Sequence, residues 1–413
     1  MIGIGISDIS VAASARRGAA PLEGGYPALP VPTLLDALDT LENWSIGQSG
    51  GASALASAEL DNTHHVEGTG AIAVTASVGG NNNALLTSAP ATRNVPELGV
   101  VIVYGHLLER SGLTSIGHQL LAGPTQGVVR WANAATSFCD GGRWYAFHVE
   151  ELRQDVLGAD EDQWRHRLIA DGEDPGAGRI VWDAIYANAA GRPTTTIWLD
   201  DGYASQHDVI VPMLEARGLR ATIGVDRQAV LGQSPTFMRL EALQDLYARG
   251  HDVAVHGGSS WVDDGVGEAV ACRQWLIDNG MPRAAHIAAY PGGVWSQSLV
   301  DALRDAGFAL ARTVEPQGFY TRRGWFGQEM TFPSFGLSAA TSLEDVGAAL
   351  DKAERRGECQ SLHLHDVAEG EAQYLSLSQG WLAELFDHIA ARVEARRLTV
   401  LTASELYADP VRA

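Results

Sequence analysis

The stretch Thr194-Thr-Thr-Ile-Trp-Leu-Asp-Asp-Gly-Tyr203 reads as a short buried strand that ends on two adjacent carboxylates. Gly202 then lets the chain turn sharply. Downstream the same rhythm repeats: strand, then amphipathic helix. Strands are expected at Thr194 to Leu199, Arg220 to Val225, Asp252 to His256, His286 to Tyr290, Ala309 to Thr313, Gln360 to His365 and Leu398 to Leu401. Helices are expected near Gln206 to Arg217, Met238 to Arg249, Gly265 to Asn279, Gln297 to Ala306, Leu343 to Arg356 and Gln379 to Arg396. Such alternation predicts a parallel α/β barrel or a doubly wound sheet, in which reactive groups gather where strands end. Asp200 and Asp201 suit either of two roles. One binds a cation while its neighbour stays ionised as a base, or both serve as acids at a helix N-terminus.

Other strand ends carry reactive groups too. The third ends at His256, the fourth runs into Tyr290-Pro-Gly-Gly293, and the strand Gln360 to His365 reads Leu362-His-Leu-His365-Asp366 at its end. Gathered at one end of a barrel, these favour catalysis over isolated structural roles. His251 and His363 are expected to be structural, either pointing away from this set by strand alternation or lying one turn too early.

Upstream the pattern is different. Residues 1 to 33 lack a helical period, carry repeated Gly and Pro, and read as an extended arm. From about 34 to 190, short alternating runs are separated by Gly, Asn, Ser and Asp clusters, as in Ala71 to Val78, Trp144 to Val149 and Arg179 to Tyr186. Regular short strands of this kind predict an all-β sandwich or jelly roll. The chain is therefore expected to be multidomain: arm, β-sandwich, and an α/β unit over 193 to 410. Trp44, Trp131, Trp144, Trp164 and Trp182 lie in the sandwich region, where tryptophan serves core packing or stacks on sugar rings. His64 and His65, adjacent on one strand, point to opposite faces and read as a surface pair.

Composition excludes several classes. The chain has 413 residues, with 29 Lys and Arg against 50 Asp and Glu, a formal charge of -21. A surface this acidic repels phosphate backbones, and no basic stripe interleaved with aromatics offsets it, so neither nucleic acid nor anionic membrane is an expected partner. The three cysteines, Cys139, Cys272 and Cys359, are far apart and suggest neither disulfides nor a thiolate metal site. No stretch approaches the ~20 apolar residues of a membrane span, and the start Met-Ile-Gly-Ile-Gly-Ile-Ser lacks the features of a secretory signal.

Taken together, the strand ends resemble the motifs of polysaccharide deacetylases of the NodB-homology type, carbohydrate esterase family four. Leu199-Asp200-Asp201-Gly202 resembles the first motif, Gly250-His-Asp-Val-Ala-Val-His256 the second, and Tyr290-Pro-Gly-Gly293 the Tyr-Pro-x-Gly variant of the third. Leu362-His-Leu-His365-Asp366, followed by a helix and Thr399-Val-Leu-Thr-Ala-Ser-Glu-Leu, resembles the last. The likeness runs from about 194 to 408 and implies a distorted β/α barrel. It also implies metal-dependent removal of an acetyl group from a polysaccharide. Asp200 would be the base, Asp201 and His256 would hold a divalent cation such as zinc, and the Gly292 amide would stabilise the oxyanion. His365 would protonate the leaving group, with Tyr290 and Trp261 at the substrate; Trp261 suits either stacking on a sugar or covering the barrel mouth. The region around His65 and the closing Ile180-Val-Trp-Asp-Ala-Ile resemble strands of jelly-roll carbohydrate-binding modules.

The chain departs from the deacetylase pattern at two places. Ser260 stands where the second motif supplies another His, leaving Asp263, Asp264, His207 or water to complete the cation's shell. Ala289 stands where many members carry an Arg that orients the base. Two functions follow: a deacetylase of an acetylated polysaccharide, or a glycan-binding or structural protein on a deacetylase fold. Such enzymes meet extracellular polymers and no signal is seen, which leaves two expectations, delivery on a virion or a cytoplasmic location. On a virion, the chain would be a phage tail fibre, tail spike or receptor-binding component, docked by its arm to other tail proteins and assembled as a trimer.

Overall fold

The computed structural model describes residues 33–49, 55–65, 68–78, 82–89, 91–92, 101–109, 113–122, 127–135, 143–149, 163–172, 176–187, 191–314, 329–368 and 375–408. The expected arm, apart from Thr33, and Cys139 fall outside these residues.

Two antiparallel sheets make up the N-terminal half. One runs in the order Arg143–Val149, Val101–Glu109, Gly176–Ala187, Ala71–Val78, Leu55–Asp61, with Thr33–Asp36 also paired to Gly176–Ala187. The other runs Trp44–Ser49, Asn82–Ser88, Gln163–Gly172, Leu113–Ala122, Gly127–Ala135, with Ala91–Thr92 alongside. Alternate residues from both sheets, among them Ile72, Val74, Leu86, Val103, Leu120, Leu168, Ile180 and Trp182, close a shared apolar core. Trp44 and Trp182 are core residues, which leaves neither ring for a sugar. The side chains of Trp131, Trp144 and Trp164 lie outside the described residues. The strand Asn82–Ser88 goes unread in the sequence because its consecutive asparagines look like a turn.

In the C-terminal half, an eight-stranded parallel sheet curls on itself. Its order by chain position is fifth, fourth, third, second, first, seventh, sixth: Leu310–Arg312, Ile287–Ala289, Asp252–His256, Thr222–Asp226, Thr194–Leu199, Cys359–Leu364, Phe335–Gly336. Thr399–Val400 pairs beside Thr194 and Thr195. The two edges approach through one segment, since Phe332 bridges to Arg312 while Phe335 and Gly336 pair with Leu362 and His363.

Strand residues are buried on both faces, as in parallel sheets covered by helices. Ile197, Leu199, Ile223, Val225, Val253 and Val255 join the core that includes helix residues such as Leu246, Leu276, Leu303 and Phe386. Trp198, Ala254, Ala289 and Phe332 form a separate interior cluster. The helix Leu343–Arg356 starts with a capping box at Ser342 and Asp345 and ends at Gly357 in the left-handed region. At the N-terminal end of the strands, the helix Ala403–Ala408 is pinned by Ala403 N–H to Thr222 Oγ1 (2.9 Å) and Ser404 N–H to Asp252 Oδ2 (2.8 Å). The C-terminal strand ends open into a cleft.

Candidate active site

The first strand delivers Asp200 and Asp201 in different ways. Asp200 is 2% exposed, and its N–H donates to the Leu364 carbonyl at 2.9 Å, so the ladder with the seventh strand continues into the acidic pair. Asp201 then takes φ 71°, a left-handed conformation costly for a residue with a Cβ, and Gly202 follows at φ 73°. This double turn sends the Asp201 carboxylate away from the strand and across to His256, whose Nε2 lies 3.2 Å from Asp201 Oδ1. Gln206 is wholly buried and secures the turn from behind, its Nε2 donating to the carbonyls of Asp200 (2.5 Å) and His365 (2.7 Å).

The arginine missing at Ala289 comes from the neighbouring strand. Ala289 pairs in register with Arg312, so the guanidinium enters the interior one strand over. Arg312 Nη2 donates to Asp200 Oδ2 at 2.5 Å, and its plane lies 5.1 Å from the Trp198 ring centre. Burial alone would raise the Asp200 pKa. The Arg312 charge, followed by that of His256, outweighs burial and holds the carboxyl well below the usual carboxylate range. Asp200 is therefore ionised. Its Oδ1 has no hydrogen-bond partner, while His365 Nε2 lies 4.0 Å from Oδ2.

His256 Nδ1 meets the Ala289 carbonyl at 2.8 Å, which fixes the ring and presents Nε2 to Asp201. Burial pushes this imidazole down. The Asp201 hydrogen bond, the charges of Asp200 and Asp201 and the Ala289 carbonyl outweigh it, and the pKa stands above its ordinary value. A proton shared with Asp201, or a cation bound by both groups, satisfies the same pair. The Ser260 hydroxyl lines the same cleft, buried and without a hydrogen-bond partner. A ring nitrogen whose other nitrogen is held by a carbonyl, a carboxylate and an orphaned hydroxyl fit a divalent cation whose shell is completed by water. Among the described residues, no group of three or more His, Cys, Asp or Glu gathers as ligands. The expected substitutes do not supply a third: His207 is held by Asp208 and Asp245, Asp263 is exposed and off the cleft, and the Asp264 side chain lies outside the described residues.

Asp200, Asp201, His256, Tyr290, Gly292 and His365 line one cleft of about 760 Å³. Gly292 sits in its wall at φ 57° within the turn Pro291–Gly293. The Tyr290 hydroxyl is engaged, donating to the Met330 carbonyl at 2.8 Å.

Trp261 corrects the expectation of a stacking platform. It is 1% exposed and does not line the cleft; it packs edge-on to Tyr290 under the wall. His363 corrects another, since it lines the cleft together with His365. His251 is structural as expected, held by Glu215 and the Ala221 amide. Sequence reasoning also missed Arg312 and Gln206. Arg312 stands out only as the one charged residue in the short run Ala309 to Thr313.

No protein-family model matches the chain, and no curated protein matches it. Several solved structures are similar at low identity. A carbohydrate-binding module of the β-sandwich superfamily is 14% identical over 36% of this chain, at TM-score 0.31; the chain spans 58% of that structure. The family 11 carbohydrate-binding module of a cellulosomal cellulase of Clostridium thermocellum is 11% identical over 38% of this chain and 94% of its own, at TM-score 0.28. The CE4 domain of a multidomain xylanase from the hindgut metagenome of Trinervitermes trinervoides is 16% identical over 52% of this chain and 90% of its own, at TM-score 0.36. A Streptococcus pyogenes deacetylase in complex with acetate is 16% identical over 38% of this chain and 69% of its own, at TM-score 0.32.

Proposed function

We propose that the chain is a hydrolase that removes acetyl groups from a polysaccharide. Asp201 and His256 would hold a divalent cation, zinc or a similar ion, beside the Ser260 hydroxyl. One observation carries this reading: a buried, ionised Asp200 has one carboxylate oxygen fixed by Arg312 and the other unpartnered, next to a carboxylate–imidazole pair in the same cleft. When bound, the cation polarises the acetyl carbonyl and acidifies water. Asp200 takes the proton of the attacking water at Oδ1, while Arg312 keeps Oδ2 in place. The Gly292 N–H donates to the developing oxyanion. His365 Nε2 gives a proton to the departing sugar nitrogen or oxygen as its bond to the acyl carbon breaks, and acetate leaves.

Asp200→Asn is expected to lower acetate release from acetylated oligosaccharides by about 10²–10⁴-fold, with metal content and fold retained. Full activity in that variant removes Asp200 from the role of base. Mass spectrometry after dialysis against trace zinc is expected to find metal in the wild type and none in His256→Ala.

Ser260 favours a second reading, a glycan-binding protein without turnover. Sugar binding equally tight with and without chelator, and no acetate release, would support it. The sandwich is proposed to hold the same polymer. Delivery on a phage tail, with residues 1 to 33 anchoring a trimer, is proposed from the sequence alone; a monomer by light scattering would remove the trimer.

A further inference from the structure

We propose that His363 is a substrate-specificity residue whose Nε2–H donates a hydrogen bond to an uncharged oxygen of the bound glycan at the floor of the cleft. This rests on the glycan-processing reading of the same cleft. His363 lines the cleft within the seventh strand, two residues before His365, which lies just past the strand's end. The two rings meet edge to face at 6.0 Å.

A chain of hydroxyls reaches Nδ1 and suits one tautomer. Ser361 Oγ donates to Ser334 Oγ at 3.0 Å. Ser334 then has its own proton to give His363 Nδ1, also at 3.0 Å. With Ser334 donating to Nδ1, the arrangement the proposal takes, Nε2 carries the hydrogen.

Space at Nε2 is kept open. Gly336 pairs in register with His363, and a Cβ there would stand 2.9 Å from Nε2. Among the described residues no group accepts from Nε2. His363 is 5% exposed, and its Nε2 is not among the buried polar atoms left without a partner, so this atom is the part of the ring open to the cleft. Burial holds the imidazole pKa down at about 3, so the ring stays neutral and suits a hydroxyl or carbonyl oxygen rather than a carboxylate. The proposed hydrolysis uses Asp200, Asp201, His256, Gly292 and His365 and leaves His363 without a task.

The test compares His363→Leu, His363→Gln and Ser334→Ala on two kinds of substrate. Chitotetraose and acetylated xylo-oligosaccharides carry sugar oxygens, whereas 4-nitrophenyl acetate is a minimal acyl donor without them. His363→Leu is expected to raise KM for the oligosaccharides by about tenfold, as loss of one buried hydrogen bond does. Activity on 4-nitrophenyl acetate should stay within about twofold. Glutamine, a neutral donor, should recover most of the loss, and Ser334→Ala should give a smaller rise in KM. Equal losses on both substrate kinds, or an unchanged KM, overturn the proposal.

Calorimetric titration of the same oligosaccharides separates this result from failure of the deacetylase reading. A wild type that binds without releasing acetate, and loses about tenfold affinity in His363→Leu, removes hydrolysis and leaves the role of His363 standing. Equal affinity in wild type and variant overturns that role. A wild type that neither binds nor hydrolyses any of these glycans overturns both.

Discussion

Arg312 and Asp200 form a wholly buried pair, and each makes the other tolerable in the interior. Removing one partner of such a pair leaves a bare charge out of water. Arg312→Met is therefore expected to cost about 3–5 kcal/mol of stability, read by denaturant titration. The same variant should move the pH dependence of activity. With Arg312 present, the Asp200 carboxyl is held below its ordinary range and contributes stability at neutral pH that is lost only as the solution becomes strongly acidic. Without it, burial dominates and the carboxyl pKa rises. The acid limb of the rate profile should then move up toward neutral pH, while the wild type stays flat there. An unmoved acid limb would show that Arg312 does not set the charge of Asp200.

At the scale of single elements, two features predict stability changes away from the cleft. Gly357 closes the helix Leu343–Arg356 at φ 65°, and a Cβ there would stand 2.3 Å from the Gly191 carbonyl oxygen. The obstacle is the Gly191 backbone, which cannot give way as a flexible side chain would. Gly357→Ala is expected to destabilise the barrel by more than the ~1 kcal/mol of left-handed strain alone, seen as a lowered melting temperature.

In the sandwich, the core-facing His118 stacks on His166 with Nε2 2.9 Å from His166 Nδ1. Burial takes the His118 pKa from 6.5 down to about 3. A histidine buried neutral gives stability that is complete above its unfolded value and is lost as pH falls toward the folded one. Between pH 6.5 and 3, the unfolded chain binds the extra proton, and stability should fall by up to about 1.4 kcal/mol per pH unit. Melts of wild type and His118→Gln across this range check the effect, which the variant should lack.

For the molecule as a whole, the sandwich and the curled parallel sheet have separate apolar cores. Separate cores predict two calorimetric unfolding transitions rather than one. A divalent cation bound at Asp201 and His256 stabilises only the unit that holds it, by about 2.7 kcal/mol at a hundredfold excess over Kd. Adding zinc should therefore raise one transition and leave the other in place, and His256→Ala should abolish the shift. A common shift of both transitions would mean that the two units unfold together.

Much of the α/β half was legible because a parallel strand buried on both faces writes itself as a continuous apolar run, and each run here ends on a polar group. Thr194–Leu199, Asp252–His256 and Leu343–Arg356 lie where the sequence puts them. Asp200, Asp201, His256 and His365 could be assembled because strand ends of a parallel barrel meet at one rim. The sandwich was legible only in part, since short strands rich in Gly, Asn and Ser look like the turns between them. What the sequence by itself determined is the class of each half and the strand ends that meet. Only the tertiary structure decided which residue lies beside which: Arg312 supplying the charge absent at Ala289, Trp261 sealed beneath Tyr290, and His363 turned into the cleft. The physical reason is that sheet register and burial are set by packing between strands far apart in the chain, and no local pattern of residues encodes a partner on another strand.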